Sequence, residues 1–361
     1  MLLVLATLWP LLAVAGERWR LQYFYDAPGG AEFSISGLAF PTPQLGMAVG
    51  GLEADGKVRP YAVVTADGGA TWTPLRVPAA AMSLFFANPR TGWLVARKGI
   101  WKTGDFGRSW TKLKGARGAL RVHFRDEQRG WAVGVNKSVY ETSDGGATWR
   151  VVEAASKPQT TPEYTAYTAI AFAGPEVGVI TGWSRPPRPR RLPDWMDPNS
   201  ASREWPAISI QLQTPDGGAH WAAAEVSMFG QITALGVSPS GRGLTLVEFF
   251  DRFEFPSEVY RMDWHTGKTS RVFRRKDRAV TDVLVPATGP AYLAAVEPPG
   301  TLFHSPVPGK LKMLKSEDTE NWTDMDVDYR AVARRAVLSS SDPANVWVAT
   351  DTGMILKLVA E

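Results

Sequence analysis

Four segments of the chain align without gaps: TADGGATWT (65–73), TGDFGRSWT (103–111), TSDGGATWR (142–150) and TPDGGAHWA (214–222). Their aspartates, Asp67, Asp105, Asp144 and Asp216, are spaced by 38, 39 and 72 residues, so the last interval holds one repeat plus an insertion. A period near 40 residues suits a unit of four short strands, which must stack on its neighbours to bury its apolar faces. Within each unit the residues after Asp permit positive φ, and the carboxylate accepts backbone N–H groups inside the turn. The tryptophan five residues on (Trp72, Trp110, Trp149 and Trp221) is placed to fold back over the hairpin. These aspartates therefore read as structural clips that recur alike, not as catalytic groups.

Two further strands recur seven times. An apolar run follows a turn in GMAVG (46–50), GWLVA (92–96), GWAVG (130–134), GVITG (178–182), GLTLV (243–247), AYLAA (291–295) and VWVAT (346–350). An inner strand precedes each: SGLAF, MSLFF, RVHFR, TAIAF, TALGV, TDVLV and AVLSS. The pattern predicts an all-β fold, a seven-bladed β-propeller of four-stranded antiparallel blades, with about 49 residues per blade. The seventh blade ends after its third strand, and the run WRLQYFY (19–25) precedes the first. That N-terminal strand is expected to close the ring as the outer strand of blade seven.

Residues 1–15 (MLLVLATLWPLLAVA) are apolar, shorter than the roughly 20 residues of a spanning helix, and end in a small-x-small triplet. We expect a signal peptide cut before Gly16, although no Lys or Arg precedes the apolar core; a membrane anchor is the alternative. The expected domain is then 16–361, exported to the periplasm or secreted, with no stable membrane span after cleavage. The absence of cysteine excludes disulfides and thiolate metal sites. A net charge of +4 decides nothing without its distribution.

The succession of inner strand, G-W-x-V-G and x-x-T-x-DGG-x-T-W closely resembles the BNR, or Asp-box, repeat. Its arrangement is most similar to the photosystem II assembly factor family of cyanobacteria and plastids, with the best matches at 130–149 and 92–110. The resemblance implies a seven-bladed propeller within the sialidase-like superfamily, which holds glycosidases, sorting-receptor domains and non-enzymatic assembly factors. It is strong in blades one to four; in blades five to seven RMDWHTGKTSRVF (261–273) is at most a decayed Asp box.

No catalytic set assembles. The Phe-Arg-Ile-Pro segment of sialidases is replaced by LAFPTP (38–43), and Glu258, Tyr260 and Arg261 sit at i, i+2 and i+3 of a strand, where alternation splits them between faces. His123, His220, His265 and His304 are scattered over different blades, and His220 replaces the Thr of an Asp box. No phosphate loop, HExxH or dinucleotide fingerprint is present, so we expect no metal and no cofactor. Two carboxylates of a different glycosidase arrangement remain compatible with the sequence.

Strand order puts the loops after outer strands, and those between second and third strands, on one face, here called the top. The Asp boxes lie on the other. The top carries the insertion 184–206 in blade four, with Arg185, Arg188, Arg190, Arg191, Trp195 and Trp205 among six prolines. A Pro-rich segment of this kind is semi-extended, either a solvated loop or an arm that grips a partner. The same face gathers the basic runs 112–121, 271–278 (with Arg274 and Arg275) and 329–335. It also carries EFFDRFEFP (248–256), with Phe250, Arg252 and Phe253. These residues are the candidate binding set. The sequence reads as a non-catalytic binding or assembly propeller, docking a protein, or an anionic surface or acidic glycan, on a basic top face; nucleic acid is not expected. The alternatives are a glycoside hydrolase of the sialidase-like superfamily and a structural module of a cell-envelope complex.

Overall fold

Strands whose apolar side chains alternate over two faces bury both only when sheets stack face to face, and the chain does this around a ring. The computed structural model describes residues 16–26, 29–187, 206–249, 253–264, 267–298 and 308–360. The segment expected to be a signal, 1–15, lies outside them. Seven inner strands occur where the repeats place them: Glu32–Ala39, Ala81–Phe86, Ala119–Phe124, Thr165–Ala173, Gln231–Val237, Ala279–Leu284 and Ala336–Asp342. Each opens a blade, and in the first six the four strands pair in sequence order. The core is divided between blades. One cluster joins Trp93, Val95 and Ile100 of blade two to Val122, Phe124 and Ala132 of blade three.

In blades one to six the inner strand carries a β-bulge near its start, as at Ile35/Gly37, Ala119/Arg121 and Val280/Asp282. The bulge explains the second glycine of GWAVG: a Cβ on Gly134 would collide with the backbone of Gly118 and Ala119. The first glycine is explained by the inner strand's own phenylalanine, because a Cβ on Gly130 would enter the Phe124 ring.

The tryptophan between those glycines reaches into the next blade. Trp93 of blade two stacks on Phe124 of blade three at 3.5 Å and 6°. Trp347 of blade seven stacks on Phe40 of blade one at 3.5 Å and 3°. The Asp-box tryptophan then meets the same phenylalanine edge-on: Phe124–Trp149 at 6.1 Å, Phe40–Trp72 at 5.9 Å, Phe172–Trp221 at 6.2 Å. The indole N–H groups of Trp93 and Trp347 donate to Gly145 and Gly68, glycine carbonyls of the next blade's Asp box, at 3.1 and 3.3 Å.

The Asp box has one hydrogen-bond pattern throughout. The Thr65 hydroxyl donates to Asp67 Oδ1 at 2.8 Å and accepts the Gly69 N–H at 2.9 Å. Asp67 also accepts the Thr71 N–H at 2.9 Å and the Thr71 hydroxyl at 2.6 Å. Asp105 and Asp144 repeat this with Ser109 and Thr148. At Asp216 the place of the second hydroxyl is taken by His220, whose Nδ1 lies 2.6 Å from Oδ2, so this histidine is a turn residue. Blade six holds a fifth clip that the sequence reading does not anticipate. Asp318 accepts the N–H groups of Glu320 and Asn321, each at 2.8 Å, and the Ser316 hydroxyl at 3.0 Å. This turn is one residue shorter, and Thr319 (φ 63°) takes the left-handed conformation that glycine takes elsewhere.

The ring closes through the N-terminal strand as expected. Glu17–Phe24 pairs antiparallel with Met354–Ala360, and Trp19 is fully buried. The same strand also pairs in parallel with the outer strand of blade six, Thr323–Val327, through Arg18 and Trp19, which merges blades six and seven into one sheet. Deleting residues 16–26 should therefore abolish the cooperative thermal transition. Trp19→Ala, measured by urea denaturation, should cost about 3–5 kcal/mol.

Hydrogen bonds from Thr71, Ser109 and Thr148 hold Asp67, Asp105 and Asp144 down to about 2. Asp216 and Asp318 are lowered as well, chiefly by the backbone N–H groups of His220 and Asn321. A carboxylate lowered in the folded state stabilises above its unfolded value, about 4, and loses that contribution as the pH falls through its folded value. Acid unfolding followed by tryptophan fluorescence should set in between about pH 4 and 2, and Asp144→Asn should show a smaller pH dependence in that window.

Candidate functional site

The bottom of the ring is consumed by its own hydrogen bonds. The turns joining inner and second strands accept from the Asp boxes: Gly68 N–H donates to Gln44 at 2.9 Å, Gly145 to Gln128 at 2.8 Å and Gly217 to Glu176 at 2.6 Å. The top carries the longer loops and the channel mouth, and its chemistry falls into three parts.

The first is an aromatic stack on blade five. Phe253 lies on Phe249 with ring centroids 4.1 Å apart at 20°, and its other neighbour Phe229 is 6.1 Å away at 26°. Phe229 is 50% exposed, so the stack presents an apolar face to solvent. Beside it the Arg274 guanidinium sits 3.7 Å above the Phe255 ring. Phe253 was expected from the sequence; Phe229 was not, because it belongs to the preceding connection and only the fold brings it to the loop. Phe250 and Arg252 lie outside the described residues.

The second part is the basic run 271–278, which is not a bare cationic patch. Arg271 and Arg274 both pair with the buried Glu258, at 3.4 and 3.1 Å. Arg275 donates to both oxygens of Asp277 at 2.9 and 2.8 Å and pairs with Asp324 at 2.7 Å. Its own acidity is weakened by these bonds, Asp277 first. Lys276 pairs with Glu254 at 2.5 Å, and Arg278 with Asp324 at 3.0 Å. Every basic residue of the run faces a carboxylate. The same Glu258 accepts the Tyr260 hydroxyl at 2.5 Å, so i and i+2 do share a face, while Arg261 turns to Glu320. Burial, and after it Glu258, pushes Tyr260 up to about 12, the reverse of an activated nucleophile.

The third part is the upper channel. A cavity of about 390 Å³ is lined by inner-strand residues of six blades, among them Ser34, Ser83, Arg121, Thr233, Asp282 and Arg335. Arg335 is held bidentately by Glu248 at 2.9 and 3.1 Å. Asp282 accepts the N–H groups of Leu338 and Val283 at 2.8 and 2.9 Å, and burial pushes it towards its neutral form. Apart from Arg121 and Arg335, which fall in the basic runs 112–121 and 329–335, this cluster was not anticipated as a site. Its members are far apart in sequence, and only their register in the ring brings them together.

Of the remaining expected residues, Arg185 is half-buried at the end of blade four's second strand, Val177–Ser184, with its N–H donated to Tyr164 at 3.0 Å. Arg188, Arg190, Arg191, Trp195 and Trp205 lie outside the described residues. His123 is packed between Phe85 and Phe172, and burial lowers it to about 4. Among the described residues no cluster of His, Asp or Glu fits a metal ion, and no helix is long and apolar enough to cross a membrane.

Comparison with known proteins agrees with the repeat. The model of the photosynthesis system II assembly factor YCF48 family matches residues 112–187, which span blade three and its flanks. A solved structure described as YCF48 bound to D1 peptide superposes with a TM-score of 0.60 at 16% identity, covering 94% of this chain and 99% of the other. YCF48 from Cyanidioschyzon merolae gives 0.59 at 13%, covering 95% and 98%. The tricorn protease gives 0.56 at 13%, over 92% of this chain and 34% of its own. No curated protein matches the sequence. The chain is thus a β-propeller of the photosystem II assembly factor type in its fold.

Because the charges of Arg275 are spent within the protein, Arg275→Ala should act on stability. Urea denaturation should show a loss of about 0.2–1 kcal/mol, the range of a partly exposed, solvent-screened pair.

Proposed function

We propose that the chain is a non-catalytic, protein-binding propeller of the assembly-factor kind that acts outside the cytoplasm and docks its partner on the top face. The observation that carries the reading is the half-exposed stack of Phe229, Phe253 and Phe249, on the face that also bears the Arg- and Pro-rich insertion of blade four. Large aromatic groups with cations beside them and little conformational freedom are the composition of interface hot spots. The YCF48 propeller solved with a D1 peptide supports a polypeptide partner for this architecture. An apolar N-terminus ending in Ala13-Val14-Ala15 supports export, and Arg188, Arg190 and Arg191 support an acidic partner surface. With the run 271–278 neutralised internally, the charge attraction falls to the insertion, and the apolar contact falls to the phenylalanines.

The mature 16–361 chain, used as bait in envelope extract, tests both arms. Arg188, Arg190 and Arg191 reversed together to Glu should slow capture and remove its salt dependence. Phe229→Ala with Phe253→Ala should lower the amount retained at least tenfold, with melting unchanged in both variants. Equal capture by wild type and both variants would remove the top face from the proposal.

A further inference from the structure

The upper channel holds a feature that docking on the outer top surface does not use. The residue after the bulge in each inner strand stands at one level of the ring, and at this level Gly37, Ser83, Ala169 and Ala234 are small while Arg121 and Asp282 are charged. The small side chains leave the cavity of about 390 Å³ open, a volume within the range of ligand sites. Arg121 is exposed to this lumen, and among the described residues its guanidinium has no hydrogen bond or ion pair. The electrostatic neighbours it does have are Asp282 and Arg335.

The other charges of the lumen are committed. Both oxygens of Glu248 are held by Arg335, Asp351 accepts the N–H groups of Arg334 and Arg335, and Asp282 accepts those of Leu338 and Val283. A guanidinium with five donors facing a polar cavity is a receptor for a carboxylate, whose planar pair of oxygens matches the guanidinium fork. Arg121 is one cation beside the carboxylates of Asp351 and of the Arg335-paired Glu248, so a monoanion fits where phosphate or a dicarboxylate does not.

We propose that the upper channel binds a small free monocarboxylic acid, its carboxylate on Arg121, independently of any partner on the top face. The test is titration of the 16–361 chain with propionate, followed by saturation-transfer NMR and calorimetry, with inorganic phosphate as the comparison anion. Propionate should bind with a dissociation constant on the order of 1 mM or tighter. Arg121→Gln should weaken it by roughly tenfold or more, and Arg121→Lys, which keeps the charge and loses the planar fork, by about threefold. Arg150→Gln, on the outer strand of blade three, should leave it unchanged. Arg121→Lys keeps the proposal testable should Arg121→Gln not fold. No saturable propionate binding, affinity unchanged in both channel variants, or tighter binding of phosphate than propionate would each overturn it. Top-face capture is read separately, so either proposal can fail without the other.

Discussion

The propeller rests on an aromatic contact that crosses from blade seven to blade one, where the ring closes, and again from blade two to blade three and from blade three to blade four. A four-stranded sheet of this size buries little by itself, and what it gains comes from the neighbouring sheet. In this chain the gain is concentrated where a second-strand tryptophan lies flat on the phenylalanine that ends the next inner strand, with the Asp-box tryptophan closing against the same ring. Flat stacking and edge contact use the ring quadrupole in both of its favourable arrangements. Two of these indoles also donate to an Asp-box carbonyl of the next blade. The turn inside one blade and the packing between two are therefore a single unit. At the junction of blades one and two, Met47 takes the tryptophan's place and packs under Gly107 of the next Asp box, a softer side chain filling the same space.

Ring closure follows the same logic with different material. Blade seven has three strands of its own, and its second strand carries Trp347, which stacks on Phe40 of blade one and so joins the ends of the chain through the core. The N-terminal strand adds the fourth strand, buries Trp19 and continues into a parallel pairing with blade six. The edge that would otherwise be open is thereby covered from both sides. The outer strand of blade six is also fixed at its other surface by the Asp324 pairs with Arg275 and Arg278 of blade five.

What the sequence made legible is what repeats within about 40 residues. The seven inner strands, the four long Asp boxes and the closing strand all carry their signals locally, in turn residues and in alternation. Asp318 escaped because its turn lacks the glycine pair and brings Trp322 one residue early, although the Ser316-x-Asp318 spacing matches Thr65-x-Asp67. The misjudged charge of 271–278 has another cause. A run of arginines reads as basic, yet besides Asp277 within the run Arg275 pairs with Asp324, 49 residues away. Pairing of this kind is set by blade stacking, which no local pattern announces. The channel cluster was hidden for the same reason, since Arg121 and Asp282 share a register and not a neighbourhood.

The two faces of the ring differ in how much freedom the scaffold leaves them. On the bottom, the inner-to-second turns and the Asp-box turns bond to each other within a blade, so an insertion in either would break both. On the top, a comparable lock joins Asp351 to the N–H groups of Arg334 and Arg335 in blade seven, and the exposed phenylalanines of blade five stand on connections apart from it. A binding surface can vary only where the backbone does not depend on it. The Asp boxes hold the bottom through their own hydrogen bonds and leave the variation to the top connections.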